Sequence, residues 1–520
     1  MLFADGVATK VKNHKELFWF TLGCTFLFGL LAHGYCYFNI MYSHDSLMVY
    51  QDNAAEQMAV GRFMAPLYFI LRGYFYTPSL IGVLSLLFLG LATYLMLRLC
   101  KIEKKLFVVL TCGILVTNTA MTLLHATYMH DVDRYMCSLL LAVLGVYLVR
   151  TYRWGLLVAP WLIGFSLGLY QSYFQVAVLL VMILAVLDIL DGKSFTEVFV
   201  NGIKGLIVLI LGLVLYYIGA KIVPVLAGVP LMDNYNGLNN VGNYGGIADM
   251  IALVSSTYQY IGSYFLYPVT GHSSSAGILN IALFAALLGM IVYVVKRCNV
   301  RKENVLLLCV VLALMPFGAN VIHFISHGFQ HNLMIFSFFV LYLFFLAVFE
   351  RMAFLFPAEE SCPFRCKELY VPHCVILAVF VWMLLGNVMY ANQMYQQKEL
   401  EYQNTLLTMN RIVDRIEQTD GYVVGETPVA LVGTLQRSEV SLARTGFDKV
   451  SVGNSQNFAV TYYQTYENYF EELIAYPINL LEEEDSAQWA KHPAVMAMPS
   501  FPYQGFCKII DGTLVVKLSQ

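Results

Sequence analysis

Residues Tyr42–Arg62 read YSHDSLMVYQDNAAEQMAVGR. The stretch holds a histidine, two aspartates, a glutamate and an arginine, and a long apolar run lies on either side of it. Charge at a membrane boundary is costly unless something uses it, so this segment reads as a functional outer loop between two spans. Composition agrees: the 520 residues are 59% hydrophobic and 12% charged, with a mean hydropathy of +0.65. Soluble domains carry roughly twice that share of charge. A net charge of −3 leaves no electrostatic footprint for nucleic acid.

Apolar runs long enough to cross a bilayer are expected near 17–41, 80–99, 106–124, 137–149, 155–170, 175–190, 205–223, 278–295, 305–325, 333–349 and 371–390, about eleven spans. Lys and Arg gather on one set of connections: Lys10–Lys15, Arg98–Lys105, Arg150 and Arg153, Lys193 and Lys204, Lys296–Lys302, and Arg351–Lys367. The alternate connections carry Arg62, Arg72, Arg134 and Lys221. That bias places the N-terminus inside and the end of the chain outside a cell membrane. The outer loops are then 42–79, 125–136 and 224–277. Within the first, Phe63–Ser79 is aromatic and reads as a helix along the interface, with Arg72 snorkelling to the headgroups. The third contains DNYNGLNNVGNYGG, an irregular loop by its Gly and Asn content. No cleavable signal peptide is evident, because the first apolar run is too long. Cys362 and Cys366 have the spacing of half a zinc site, with no second pair nearby.

Past Ala391 the composition changes. Charge alternates with Leu, Ile and Met at helical spacing up to about residue 417. Short strands are expected at YVVG, PVALVG and TLVVKL, with a helix near Tyr462–Ile474. The fold class is therefore a multi-spanning α-helical membrane protein over residues 1–391, followed by a small extracytoplasmic α+β domain over 392–520.

The chemistry-bearing residues sit on the outer loops. Asp45 directly follows the first span, beside His44. Asp131 and Asp133 lie in HATYMHDVDRYM with His125, His130 and Arg134. A carboxylate there can act as general base toward a sugar hydroxyl. Asp131 and Asp133 together could hold a divalent cation such as Mg²⁺ or Mn²⁺ through hard oxygen ligands. Arg62 and Arg134 can fork onto a phosphate. Gln171, in the turn GLYQSYFQ, suits packing hydrogen bonds or a donor contact. His323, His327 and His331 straddle the exit of the ninth span at spacings of four, suited to lining a cavity, touching a lipid phosphate or binding metal.

Taken in order, HDSL after the first span, a GR some 17 residues on, HDVDRY, GLYQSYFQ and a closing DGTLVVKLS resemble the bacterial membrane glucosyltransferases that modify O-antigen, the serotype-converting type II group. The resemblance covers nearly the whole chain. It implies kinship with GT-C glycosyltransferases, which take a sugar from a polyprenyl phosphate on the outer face and use a carboxylate of the first outer loop. It thus implies Asp45 as catalytic base, Arg62 or Arg134 at the donor phosphate, an extracytoplasmic glycan acceptor, and no certain cofactor. Two other classes stand beside it. A flippase or exporter of a lipid-linked glycan would show charge at mid-membrane depth and internal repeats, and neither is found. A glycan polymerase or ligase would use the long loop 224–277.

Overall fold

A computed structural model describes residues 13–47, 54–230, 244–268, 273–298, 300–355, 365–435 and 458–519. Asp52, Cys362 and most of the Gly/Asn-rich segment lie outside them. Helices α1 (His14–Phe38), α2 (Ala54–Ala59), α3 (Ala65–Arg72), α4 (Pro78–Cys100), α5 (Lys105–Thr117), α6 (Thr119–Thr127), α7 (Val132–Thr151) and α8 (Gly155–Leu169) make the first half. There follow α9 (Phe174–Leu190), α10 (Phe195–Leu226), α11 (Ile247–Leu266), α12 (Ser273–Arg297), α13 (Lys302–Ala319), α14 (Val321–Ile325), α15 (Phe336–Leu355) and α16 (Arg365–Glu417). Ten helical stretches among the described residues are long and apolar enough to cross a membrane. The α8 helix, at 15 residues, is a shorter apolar one.

Local chemistry sets the breaks. Asn13 opens α1 by accepting from the Glu16 N–H at 2.9 Å, satisfying an orphan donor of the first turn. Asn118 splits the third apolar run: its side chain caps Met121 N–H and donates back to Ile114 and Leu115. A single expected span is thus two stacked helices. The interfacial helix expected over Phe63–Ser79 is confined to α3, because Gly73 turns to a φ of 96° that other residues avoid.

The centre of the bundle is α5–α6, α9 and α15, apolar all round and almost wholly buried. By contrast α10, α12 and α13 keep large apolar side chains such as Leu206, Ile210 and Val292 exposed, as lipid-facing helices do. Two histidines are held inside: His33 and His125 stack with ring centroids 4.1 Å apart. His33 also meets Tyr395 Oη at 2.6 Å and His125 meets Tyr37 Oη at 3.0 Å. These contacts satisfy polar atoms that the apolar core would otherwise penalise.

One unbroken helix, α16, carries the chain through residue 391 to Glu417. Beyond it lies a four-stranded sheet in the order β2 (Asn479–Leu480), β1 (Pro428–Val432), β4 (Thr513–Lys517), β3 (Cys507–Ile510). β1 runs parallel to both β2 and β4, while β3 and β4 form a hairpin. The turn of that hairpin is Asp511-Gly512, both at positive φ, the residue pair that a tight right-twisted hairpin favours. YVVG is a turn, not a strand. Thr427 N–H bonds back to Val423 O at 3.0 Å, and Gly425 adopts a φ of 75°. The core of this unit takes in Met409 and Ile412 from α16 and also Tyr42 and Leu47 from the loop after α1. The sheet therefore sits at the end of the bundle that carries Asp45.

Candidate functional site

The loop after α1 is fastened before its charges are placed. The Ser43 hydroxyl donates to Thr127 O at 2.6 Å, and Ser43 N–H donates to Ser46 Oγ at 2.6 Å. That tie lays residues 43–46 against the end of α6, one residue before Tyr128. Asp45 then accepts from the Tyr128 phenol and lies 3.2 Å from His44 Nε2. Burial pushes the Asp45 carboxyl up. The hydrogen bond and charge of His44, the charge of His130 and the Tyr128 hydroxyl outweigh it and hold the group below its ordinary value. Burial, and next the Asp45 charge, raise the Tyr128 phenol well above its usual range, so it stays a donor.

Asp131 and Asp133 stand at the start of α7 in different company. Arg134 grips both oxygens of Asp131 and donates a third bond to Leu169 O at 2.7 Å. Asp133 lies 3.3 Å from Arg72 Nε and accepts from Tyr68 at 2.9 Å. Exposure separates the three aspartates. The Asp45 side chain is 28% exposed; those of Asp131 and Asp133 are 3% and 0%. The arrangement does not fit a divalent cation, because each of the two buried carboxylates is already engaged by an arginine. Among the described residues no group of three or more His, Cys, Asp or Glu is placed to hold a metal ion.

Arg72 departs from its expected place. It points into the protein, not to headgroups: besides Asp133 it donates to His130 O at 2.9 Å and to Phe75 O at 2.8 Å. Arg134 is wholly buried. Arg62 is half-buried and lies over the Tyr170 ring at 5.6 Å while donating to Gln57 at 3.2 Å. Glu56, the glutamate of the opening stretch, stands among these charges and is exposed. Burial and the Asp45 charge raise its carboxyl, and Arg62 pulls it down. Gln171 braces the floor, donating to Val60 O and Tyr216 Oη, each at 3.1 Å. Gly168 permits that packing: a Cβ there would meet Met64 at 2.8 Å and the Phe63 ring at 2.9 Å.

The structure thus gathers His44, Asp45, Arg62, His130, Asp131, Asp133 and Arg134 at one end of the bundle. His327 is elsewhere, stacked on Tyr244 at 4.9 Å with a φ of 52°. His323 contacts Ser256 and Tyr260. Three further residues join the cluster unannounced: Tyr128, Tyr68 and Tyr462. Tyr462, from the sheet unit, meets His44 edge to face at 6.2 Å. Burial, and next the charges of Asp45 and Glu56, raise its phenol. The one usable sequence signal was that Tyr128 shares a short polar segment with His130 and Asp131.

Comparison with known proteins gives one finding. The family profile "Glucosyl transferase GtrII" matches residues 34–348, more than half of the chain, from the last turns of α1 into α15. No curated protein and no solved structure matches the chain.

Proposed function

The chain belongs to the glucosyl transferase GtrII family, and from that premise we propose that it moves glucose from a polyprenyl-phosphate donor to a glycan outside the cell, with Asp45 as general base. The observation that carries this is the exposure contrast among the three aspartates: Asp45 is the one that a substrate can reach, and the exposed Glu56 stands beside it. It is ionised at neutral pH and therefore able to accept a proton. In the step proposed, an acceptor hydroxyl oxygen attacks the anomeric carbon. The bond from that carbon to the phosphate oxygen breaks, and the phosphate leaves with the electron pair. The hydroxyl proton passes to Asp45.

The leaving phosphate needs a cation. Arg134 and Arg72 lie buried against Asp131 and Asp133, whereas Arg62, half-buried beside Tyr170, reaches the surface, and we assign it that role. Asp131 and Asp133 are positioning residues in this reading. The end of the bundle bearing Asp45 is taken as the outer face, on the Lys/Arg bias of the connections. About eleven spans are taken to form a GT-C-like unit over 1–391, and 392–520 to form an extracytoplasmic unit that meets the acceptor. No nucleotide sugar is available outside a cell, which supports a lipid-borne donor. Membership in a transferase family supports transfer over flipping or polymerisation.

The test is a membrane preparation given a polyprenyl-phosphate glucose and the host's surface glycan. Asp45→Asn should insert and fold yet transfer no glucose. Full activity in that variant would remove Asp45 from the mechanism.

A further inference from the structure

The end of the bundle opposite Asp45 holds a second group of charges that transfer does not use. Arg150 lies on α7 about 24 Å from Arg134, at roughly 1.5 Å of rise per residue. Next to it, where α4, α7, α9 and α15 end, is a cavity of ≈ 200 Å³. One water needs roughly 10–15 Å³ of such space, so this cavity admits a group of several atoms. Its cations are Arg98, Lys101, Arg150, Lys193 and Arg351, drawn from four separate stretches of chain.

The charges do not balance. Asp188 is shared by Arg150 and by Lys193, the latter at 3.3 Å. Asp191 is shared by Lys101 at 2.8 Å and Arg351 at 2.7 Å. Glu197 takes the far side of Lys193 at 2.9 Å. Among the described residues Arg98 meets no carboxylate; it donates to Tyr94 Oη at 3.0 Å and lies over that ring. Among the described residues, five cations against three carboxylates leave a surplus of two positive charges.

Membrane-end lysines and arginines ordinarily extend outward to headgroups. Here the side chains of Arg351 and Arg150 are 13% and 20% exposed and turn toward the cavity. Like charges gathered in a partly enclosed space repel unless an anion joins them. Guanidinium forks with a neighbouring ammonium suit phosphate in particular, and basic pockets between spanning helices take phosphate headgroups.

We propose that this cavity is a phosphate-binding site at the bundle end away from Asp45, filled by the headgroup of an anionic phospholipid or by free phosphate. It stands apart from the transfer reading and survives or fails without it. The full chain is placed in nanodiscs of phosphatidylcholine, with or without phosphatidylglycerol, and its thermal midpoint is measured in each. Inorganic phosphate is titrated into the phosphatidylcholine discs against chloride at equal ionic strength. A headgroup site raises the midpoint with phosphatidylglycerol; a free-phosphate site raises it with phosphate and not with chloride. Arg98→Gln with Lys101→Gln removes the surplus of two charges and leaves the Arg150–Asp188 and Arg351–Asp191 pairs intact. That variant should need at least tenfold more of the effective anion for the same rise. Should the variant not assemble, native mass spectra of the wild-type chain serve instead, with phosphatidylglycerol retained over phosphatidylcholine in support. The proposal is overturned if neither anion moves the midpoint and no lipid preference is seen, or if the double variant responds as the wild type does.

Discussion

Replacing Arg134 with methionine asks whether that residue holds the scaffold or the substrate. Its guanidinium is fully buried, grips both oxygens of Asp131 and caps the Leu169 carbonyl at the end of α8. Methionine keeps much of the volume and removes every polar contact. Asp131, 3% exposed, is left charged with His130 at 3.8 Å and the more distant charge of Arg62 as its remaining ionic neighbours. Breaking a buried pair from one side costs about 3–5 kcal/mol, mainly because the remaining charge is desolvated without a partner. Removing both partners is far milder, since neither charge is then stranded. The expectation is therefore specific. Arg134→Met should lower unfolding stability in mixed micelles by about 3–5 kcal/mol. Asp131→Asn with Arg134→Met should recover it to within about 1.5 kcal/mol of wild type and retain transfer activity. Denaturant midpoints of the three proteins, read beside glucose transfer by each, decide it. A double variant that is as stable as the wild type and transfers nothing refutes the assignment. Arg134 would then be acting on substrate.

Other expectations follow from the same cluster. Tyr128→Phe removes a donor that favours the Asp45 carboxylate, so the Asp45 pKa rises and the acid limb of the pH–activity profile moves to higher pH; an unmoved limb would sever Tyr128 from Asp45. In the wild type that limb lies in the acid range below the ordinary carboxylate value, because the folded-state pKa is depressed. The stability that Asp45 contributes is likewise present at neutral pH and lost as pH falls through the depressed value. Arg62→Gln should cut transfer at least tenfold with little change in the unfolding midpoint, measured with saturating acceptor. Tyr395→Phe strands a His33 ring nitrogen inside the bundle and should cost about 1–3 kcal/mol of stability.

Much of this architecture is written in local pattern. The apolar runs, their basic ends and the polar stretch after α1 are each readable within some 20 residues, and the helices fall where those runs are. The failures share a cause. Arg72 sits in FILRGYFY, a context that suits an interfacial anchor, and nothing nearby names its partner Asp133, 61 residues away. Asp45 and Tyr128 are similarly remote in sequence, as are His44 and Tyr462. YVVG has strand composition, yet Gly425 and the bond from Thr427 close it into a turn. Residue 391 marks a real change of composition, but α16 passes through it, because a helix can exchange an apolar surround for a polar one without a break.

The pairing pattern bears on how the proposed phosphate donor is tolerated beside three aspartates. A unit charge roughly 10 Å from another, at an effective dielectric constant of about 20, contributes about 1.7 kcal/mol. Two unpaired aspartates at that distance would repel a donor phosphate by about 3 kcal/mol, more than a hundredfold in binding. Arg134 and Arg72 cancel most of that field and do so from inside the protein, where water cannot loosen the pairs. Of the three aspartates, Asp45 alone still faces outward, near the exposed Glu56 and the half-buried guanidinium of Arg62. The proposed base and the proposed phosphate partner are thus separated by chemistry as well as by position. Ser43 and Ser46, with the sheet-unit core around Tyr42 and Leu47, hold Asp45 in place from both sides. On this account the buried pairs matter to transfer through the field they abolish, and Asp133→Asn, which unbalances Arg72, should tighten donor binding while lowering stability.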